Sequence, residues 1–352
     1  MNGELSLTDA QQPSPPADPR AERRARALLE TEAVEVARAY LLEEDARTLD
    51  EQVALTEIPA PPFAEEARGR AMAGLMEDSG LAGVETDAVG NVLGWYGEPG
   101  PGPVVVAAHL DTVFPEGTDV TVRTRGERLL APGIGDDGRG LAAVLALSRS
   151  LDTAGIRLSR PLMVTATVGE EGAGDLRGVR HLFSTQGRAR DAAAFISLDG
   201  AGNRRIVTRA VGARRWRVTV RGPGGHSWVD WGTPNPLHAL GEAVFRLSGL
   251  PRPEGLTLSV GRMEGGRSVN AIPEDAWMEL EIRSRVQDDL ARTGEEVSGV
   301  LEETVRTANR DRERGTGPLT LEVEVVGDRP AGSTPAAAPL VRAAVTATRT
   351  LG

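Results

Sequence analysis

The sequence predicts an α/β protein in which a mostly parallel sheet, with helices on both faces, carries an inserted βαββαβ unit. In the first half of the chain, short, largely apolar runs alternate with helical runs. That order is typical of a parallel sheet buried on both faces. From about residue 212, apolar and polar side chains alternate strictly, which indicates strands with one buried and one wet face. The length of 352 residues allows about two domains.

The elements of the first half follow from residue spacing and from chain breakers. Residues 21–57 have apolar positions at helical spacing, and a further helix is predicted over 63–79, beyond the breaker at Pro59–Pro62. A hairpin region is predicted over 82–106. The alternating elements that follow are, in order, strand Val104–Ala108, helix 139–151, strand Pro161–Val168, helix 176–186 and strand Ala192–Leu198.

The second half is predicted as a ferredoxin-like unit, because its elements have the order βαββαβ. The first strand, from 212, has Trp216, Val218 and Val220 on one face. The remaining elements are helices at 236–248 and 289–309 and strands at 256–263, 275–284 and 319–326. The helical run at 336–350 has the character of the first half. The predicted domain limits are therefore a disordered, proline-rich tail at 1–20, a first domain at 21–211, the inserted unit at 212–326 and a returning segment at 327–352.

Composition excludes several functional classes. The formal charge of −11 disfavours binding to nucleic acid or to anionic membranes. The chain has no cysteine, and all 40 of its basic residues are arginine, so thiolate catalysis, a lysine-containing phosphate loop and a lysine Schiff base are ruled out. No apolar run reaches the length of a membrane span and the N-terminus does not resemble a secretory signal. We therefore expect a cytoplasmic protein.

Acidic residues and one histidine follow the predicted parallel strands directly. His109 and Asp111 follow the first strand, Glu170 and Glu171 the second, and Asp199 the third. Ligands bind at the carboxyl ends of parallel strands, and so many carboxylates at one sheet edge need a cation. Asp136 and Asp137, before the helix at 139–151, belong to the same group. Histidine and carboxylates without thiolates suit zinc, manganese or cobalt in a hydrolytic site.

Within this group, spacing predicts some roles and leaves others open. Because residues i and i+2 of a strand share a face, Asp111 is expected to orient the His109 ring. Of Glu170 and Glu171, one can bind metal while the other acts as general base on the attacking water. The residues alone do not decide which glutamate takes which role.

A competing motif is the GxGxxG pattern at Gly133–Gly138, which could open a dinucleotide site. Its two aspartates would repel a pyrophosphate, so we favour glycines that let the chain turn near a metal. In the inserted unit, His226 follows three glycines, and Asn270 and Arg283 lie at strand boundaries. His226 could be delivered to the cleft of its own or a neighbouring subunit, and Asn270 and Arg283 could bind a substrate carboxylate or oxyanion.

The chain resembles a metallopeptidase family that includes peptidase T, carboxypeptidase G, aminoacylase, acetylornithine deacetylase and succinyl-diaminopimelate desuccinylase. The resemblance, closest to the peptidase T-like branch, depends on the following motifs: HLD at 109–111, PGIGDDGRG at 132–140, GEEG at 169–172, LDG at 198–200, GGHS at 224–227 and NAIP at 270–273 with Arg283.

The resemblance implies a zinc-exopeptidase-like catalytic domain with an inserted lid and dimerisation domain. It also implies a co-catalytic site for two divalent metal ions, with zinc favoured over manganese or cobalt. His109, Asp136, Glu171 and Asp199 would be the metal ligands, with Asp136 bridging both ions. Glu170 would be the general base, and Asp111 would support the ligand His109 without binding metal itself. The lid residues His226, Asn270 and Arg283 would contact substrate, with His226 reaching across a homodimer.

In one respect the sequence departs from this family. The family's last metal ligand is a histidine near the C-terminus, and no histidine follows His238 here. We therefore expect a C-terminally incomplete chain with weak activity and an unpaired sheet edge. The activity implied is that of an aminopeptidase on short peptides. The alternatives are an N-acyl amino-acid deacylase on the same scaffold and, from another class, a non-catalytic dimerising remnant.

Overall fold

The computed structural model describes residues 18–200, 202, 205–313 and 315–351. The chain divides into two compact units, one formed by the residues up to Ile206 together with those from Pro335, the other by Val207–Thr334. The predicted tail lies mostly outside the described residues, and the first helix begins at Pro19, capped by the Asp18 carboxylate. None of the described helices is both long enough and apolar enough to cross a membrane.

A five-stranded sheet forms the centre of the first unit, and the predicted mostly parallel arrangement is confirmed. The strand order is β1-β2-β6-β3-β7, and β3, β6 and β7 run parallel to one another. Strand β2 pairs antiparallel with both β1 and β6, so β2 alone opposes the direction of the other four. The strands of this unit, with a small hairpin β4–β5, are β1 Ala82–Thr86, β2 Val92–Tyr96, β3 Val104–His109, β4 Arg123–Arg125, β5 Arg128–Leu130, β6 Leu162–Thr167 and β7 Ala194–Ser197.

Helices cover both faces of this sheet, as predicted. Val106 and Val164 pack on one face against Leu145 and other apolar residues of α3, α4 and α5. On the opposite face Val105 packs near Leu182 of α6. The helices are α1 Pro19–Leu29, α2 Glu32–Glu43, α3 Asp45–Thr56, α4 Glu66–Asp78, α5 Arg139–Thr153, α6 Arg177–Leu182 and, after the second unit, α9 Pro339–Leu351.

The second unit has the predicted βαββαβ order. Its four-stranded antiparallel sheet has the order β11-β13-β9-β14, and α7 and α8 pack on one face around Trp216 and Leu240. The other face carries cross-strand ion pairs such as Arg217–Glu279. These two different faces explain why apolar and polar side chains alternate along the strands. The elements are β8 Arg209–Ala210, β9 Gly212–Arg221, β10 Gly225–His226, α7 Pro236–Ser248, β11 Thr257–Gly265, β12 Ala271–Ile272, β13 Asp275–Ser284, α8 Gln287–Asp311, β14 Thr320–Arg329 and β15 Gly332–Ser333.

Candidate metal centre

The parallel strands β3, β6 and β7 end at one edge of the first sheet, and the acidic residues that follow them meet there. Two sets of possible ligand atoms occur at this edge, and within each set all atoms lie within 4.8 Å of one another. Both sets include the buried His109. The first set adds Glu170 and Glu171, and the second adds Asp136 and Asp199. The structure therefore brings together five of the residues that the sequence singled out, although it does not divide the roles of the two glutamates.

His109 lies at the centre of the cluster, with its two ring nitrogens in different surroundings. Nε2 lies 2.8 Å from Asp136 Oδ1 and 3.9 Å from Asp199 Oδ1. Nδ1 lies 2.9 Å from the carbonyl oxygen of Asp111, which can only accept a hydrogen bond. Burial by itself lowers the pKa of His109, but hydrogen bonds to Asp111 and Asp136 raise it to about 11. A divalent ion at Nε2 would therefore displace a proton.

Asp111 is fully buried and holds the backbone that carries Glu170 and Glu171. Its carboxylate accepts hydrogen bonds from the backbone N–H groups of Glu170, at 2.9 Å, and Glu171, at 2.7 Å. The sequence predicts that Asp111 orients the His109 ring. The close contact to that ring is made by the Asp111 carbonyl oxygen, while its carboxylate lies 3.8 Å from Nδ1. The carboxylate also holds the turn that carries both glutamates.

Asp136 and Asp137 are adjacent, joined by a cis peptide bond, yet they have different environments. Asp136 is half-exposed and faces His109 Nε2. Asp137 is buried, and its carboxylate accepts from the N–H groups of His109, at 2.9 Å, and Gly140, at 3.1 Å. Burial raises the pKa of Asp137 to about 7. A Cβ at Gly140 would lie 2.1 Å from Asp137 Oδ1, so that position requires glycine.

A cavity of about 420 Å³ opens beside the cluster within the first unit. Asp136 and Glu171 line one side of it, while Val113, Phe114 and Ile134 contribute an apolar wall. None of the described residues that line this cavity carries a positive charge. The cavity could therefore hold an uncharged side chain next to a group bound at the cluster.

The three predicted substrate contacts lie in the second unit and do not form one group. His226 pairs with Ala271 across β10 and β12, and the Ser227 N–H donates to the Asn270 carbonyl. Strand β13 begins at Asp275, shortly after β12. Arg283 lies eight residues beyond Asp275, near the far end of β13, and pairs with Glu281 at 2.8 Å. At about 3.4 Å per residue this separation is roughly 27 Å. His226 and Asn270 are thus neighbours, and Arg283 is distant from both.

The donor set fits a divalent metal. One imidazole nitrogen and several carboxylate oxygens converge, and the chain has no cysteine. Zinc, manganese and cobalt accept this combination of ligands. Glu170 and Glu171 are both half-buried, and burial raises the pKa of Glu171, with the charge of Glu170 adding to the effect. A bound cation would relieve this repulsion.

The chain is similar in sequence to known proteins. The family model of peptidase family M20/M25/M40 matches residues 105–352. The chain is 29% identical over 259 residues to a succinyl-diaminopimelate desuccinylase of Corynebacterium glutamicum. This alignment covers 70% of this chain and 69% of that protein. It is 24% identical over 204 residues to carboxypeptidase G2 of a Pseudomonas species, covering 56% of this chain and about half, 48%, of that protein.

Solved structures show the same fold. The aminopeptidase PepT of Bacillus cereus has a TM-score of 0.64 at 21% identity, with 84% of this chain and 79% of that chain covered. Bacillus subtilis YxeP, described as a dinuclear metal-binding peptidase, has a TM-score of 0.57 at 15% identity, covering 82% and 76%. Because the family model matches more than two thirds of the chain, this protein belongs to peptidase family M20/M25/M40 and is a metal-dependent hydrolase of amide bonds.

Proposed function

We propose that this protein is a two-metal aminopeptidase that acts on short peptides. The observation that carries the proposal is the convergence of two ligand sets on His109, each within 4.8 Å. His109, Asp136, Glu171 and Asp199 would hold the metal ions, with zinc the first choice over manganese or cobalt. Two such ions supply Lewis acidity that polarises the scissile carbonyl and acidifies a water molecule.

The remaining roles fall to groups held by the first unit. In this proposal Glu170 takes a proton from the attacking water and returns it to the leaving amine. Asp111 does not touch the substrate. It holds the backbone N–H groups of Glu170 and Glu171, so that one carboxylate positions the base and one ligand together.

Three residues of the second unit are proposed to contact the substrate. His226 would stabilise the oxyanion, with Asn270 and Arg283 as further substrate contacts. Because Arg283 lies roughly 27 Å from the end of β13 near His226, one copy of the unit cannot bring both to the same short peptide. We therefore propose a homodimer, formed through this unit, in which His226 comes from the second copy. A cytoplasmic location is part of the same proposal.

Two substrate classes can be compared. The PepT likeness supports a peptide with a free amino end, and the relative named as a desuccinylase supports an N-acyl amino acid. The apolar cavity wall, with no cation among its described residues, favours the first, because a succinyl carboxylate would lack a partner there. The second candidate is thus a deacylase for uncharged acyl groups.

A substrate panel separates these candidates. The zinc-, manganese- and cobalt-loaded protein would be assayed on tripeptides with free amino ends and on N-acetyl and N-succinyl amino acids. We expect tripeptides with an apolar first residue to be cleaved fastest. Cleavage confined to the N-acyl compounds would overturn the aminopeptidase proposal and favour the deacylase.

Metal removal is expected to destabilise the protein. Four ligands from separate segments meet only in the folded chain, so a bound ion stabilises the native state by about 2.7 kcal/mol at 100 times its Kd. Scanning calorimetry of the chelated and zinc-restored protein would measure this as a rise in Tm. The Glu171→Gln variant, which lacks one proposed ligand, is the control and should show a smaller rise. Equal Tm values with and without zinc would contradict the assignment.

A further inference from the structure

The turn that carries Glu170 and Glu171 is held by side chains from three separate segments. Strand β6 ends at Thr167, and the next four backbone N–H groups, at 168–171, each donate to a side-chain oxygen. The acceptors are Asn91, Glu65 and, twice, Asp111, and all three are buried. This turn therefore takes its shape from side chains placed beneath it.

Glu65 differs from the other two acceptors because it also forms an ion pair. Its Oε1 accepts from the Gly169 N–H at 3.1 Å and from Arg177 Nη1 at 2.9 Å, and its Oε2 accepts from Arg177 Nη2 at 2.8 Å. Glu65 is 3% exposed and precedes α4, and Arg177 begins α6. The planar guanidinium fork fixes the orientation of the carboxylate.

The fork packs directly against the turn. Gly169 has φ +62°, a left-handed conformation that favours glycine. A Cβ at this position would lie 2.2 Å from Arg177 Nη1, so no side chain fits between the fork and the backbone. The position of the Glu65–Arg177 pair thus determines where the backbone of Gly169 lies, and the direction in which the chain leads into Glu170.

We infer that the Glu65–Arg177 pair is a positioning device for the turn that carries Glu170 and Glu171. Neither residue belongs to the two ligand sets, and both act through the backbone of Gly169. The inference rests on the proposed function, since it concerns the residues assigned there as general base and ligand. Residues that orient a metal site from outside its ligand set typically contribute 10–100-fold to activity or metal affinity.

The test compares two identical substitutions in two buried ion pairs. Glu65→Gln removes the charge that holds both the fork and the Gly169 N–H. Glu51→Gln is the matched control, because the buried Glu51 forms a two-pronged pair with Arg149, at 2.9 and 2.8 Å, away from the turn. We expect both variants to lower Tm similarly. Only Glu65→Gln should lower kcat on the best substrate of the panel, by about 10–100-fold, with KM changed less than about threefold.

Hydrogen exchange gives a readout that needs no substrate. Mass spectrometry of peptides spanning 168–171 should show faster exchange in Glu65→Gln and unchanged exchange in Glu51→Gln. Equal kcat values for these two variants, or unchanged exchange at 168–171, would overturn the inference. If Glu65→Gln does not fold, Arg177→Gln replaces it, with the same exchange result expected and a fall in kcat of at least about threefold.

Failure of the proposed function remains distinguishable from failure of this inference. Glu170→Gln, assayed alongside, reports on the proposed base. Full activity of Glu170→Gln would refute the role of Glu170, while the exchange measurement would still decide whether Glu65 and Arg177 order the turn.

Discussion

Replacing Glu170 with glutamine is expected to lower kcat by about 10²–10⁴-fold, with bound metal and Tm close to those of the wild type. The substitution keeps the shape of the side chain and removes its negative charge and its ability to accept a proton. Its backbone N–H still donates to Asp111, so the turn should remain in place. Steady-state kinetics with the best substrate of the panel, together with elemental analysis of the same samples, would measure both quantities.

The neighbouring residue gives the sharpest contrast. Glu171→Gln should lose metal as well as activity, because it removes a proposed ligand rather than the base. The exposed Glu98, in the same unit, offers a matched substitution that should change neither quantity. The assignment would be wrong if Glu170→Gln lost metal while Glu171→Gln retained it, since the two roles would then be exchanged.

Replacing Arg68 with methionine is expected to destabilise the protein by about 3–5 kcal/mol. Arg68 is 1% exposed, and its guanidinium donates to the carbonyl oxygens of Thr56, Ile58 and Leu110. Burial lowers the pKa of Arg68 to about 10, against the raising effect of the Asp111 charge, so it stays protonated at neutral pH. Methionine would leave three carbonyls, two of them on the fully buried Thr56 and Leu110, without these donors. Urea unfolding followed by circular dichroism would measure the loss.

The same helix supplies the control. Arg70, two residues along α4, is exposed and pairs only with Glu66 among the described residues. Exposed pairs of this kind contribute about 0–1 kcal/mol, so Arg70→Met should change the free energy of unfolding by less than about 1 kcal/mol. Equal losses for the two variants would show that the carbonyl contacts of Arg68 do not stabilise the fold.

The strands that build the site could be predicted because each one is a short, largely apolar segment of the sequence. Val104–Ala108 is fully apolar and Pro161–Val168 is interrupted only by Thr165 and Thr167, and each is followed closely by charged residues. A strand that is buried on both faces has this largely apolar character. The place of β2 could not be predicted. Its antiparallel pairing between β1 and β6 depends on chain routing, which leaves no periodic signal in a five-residue strand.

The supporting contacts of the site were also beyond prediction. Glu65 and Arg177 lie 112 residues apart, and each alone resembles an ordinary surface charge. Asp137 belongs to the recognised acidic group, but only the backbone shows that it holds the His109 N–H. Gly140, three residues later, was the one available signal, since a side chain there would displace the Asp137 carboxylate. The separation of Arg283 from His226 likewise emerges only from strand register.

The most direct test of the central claim is the metal content of the purified chain, measured by elemental mass spectrometry after loosely bound ions have been removed. If His109, Asp136, Glu171 and Asp199 form a two-metal site, about two zinc, manganese or cobalt ions per chain should remain. The Asp136→Asn variant, which removes the charge of one proposed ligand, should retain fewer. A wild-type count of one or none would contradict the two-metal site.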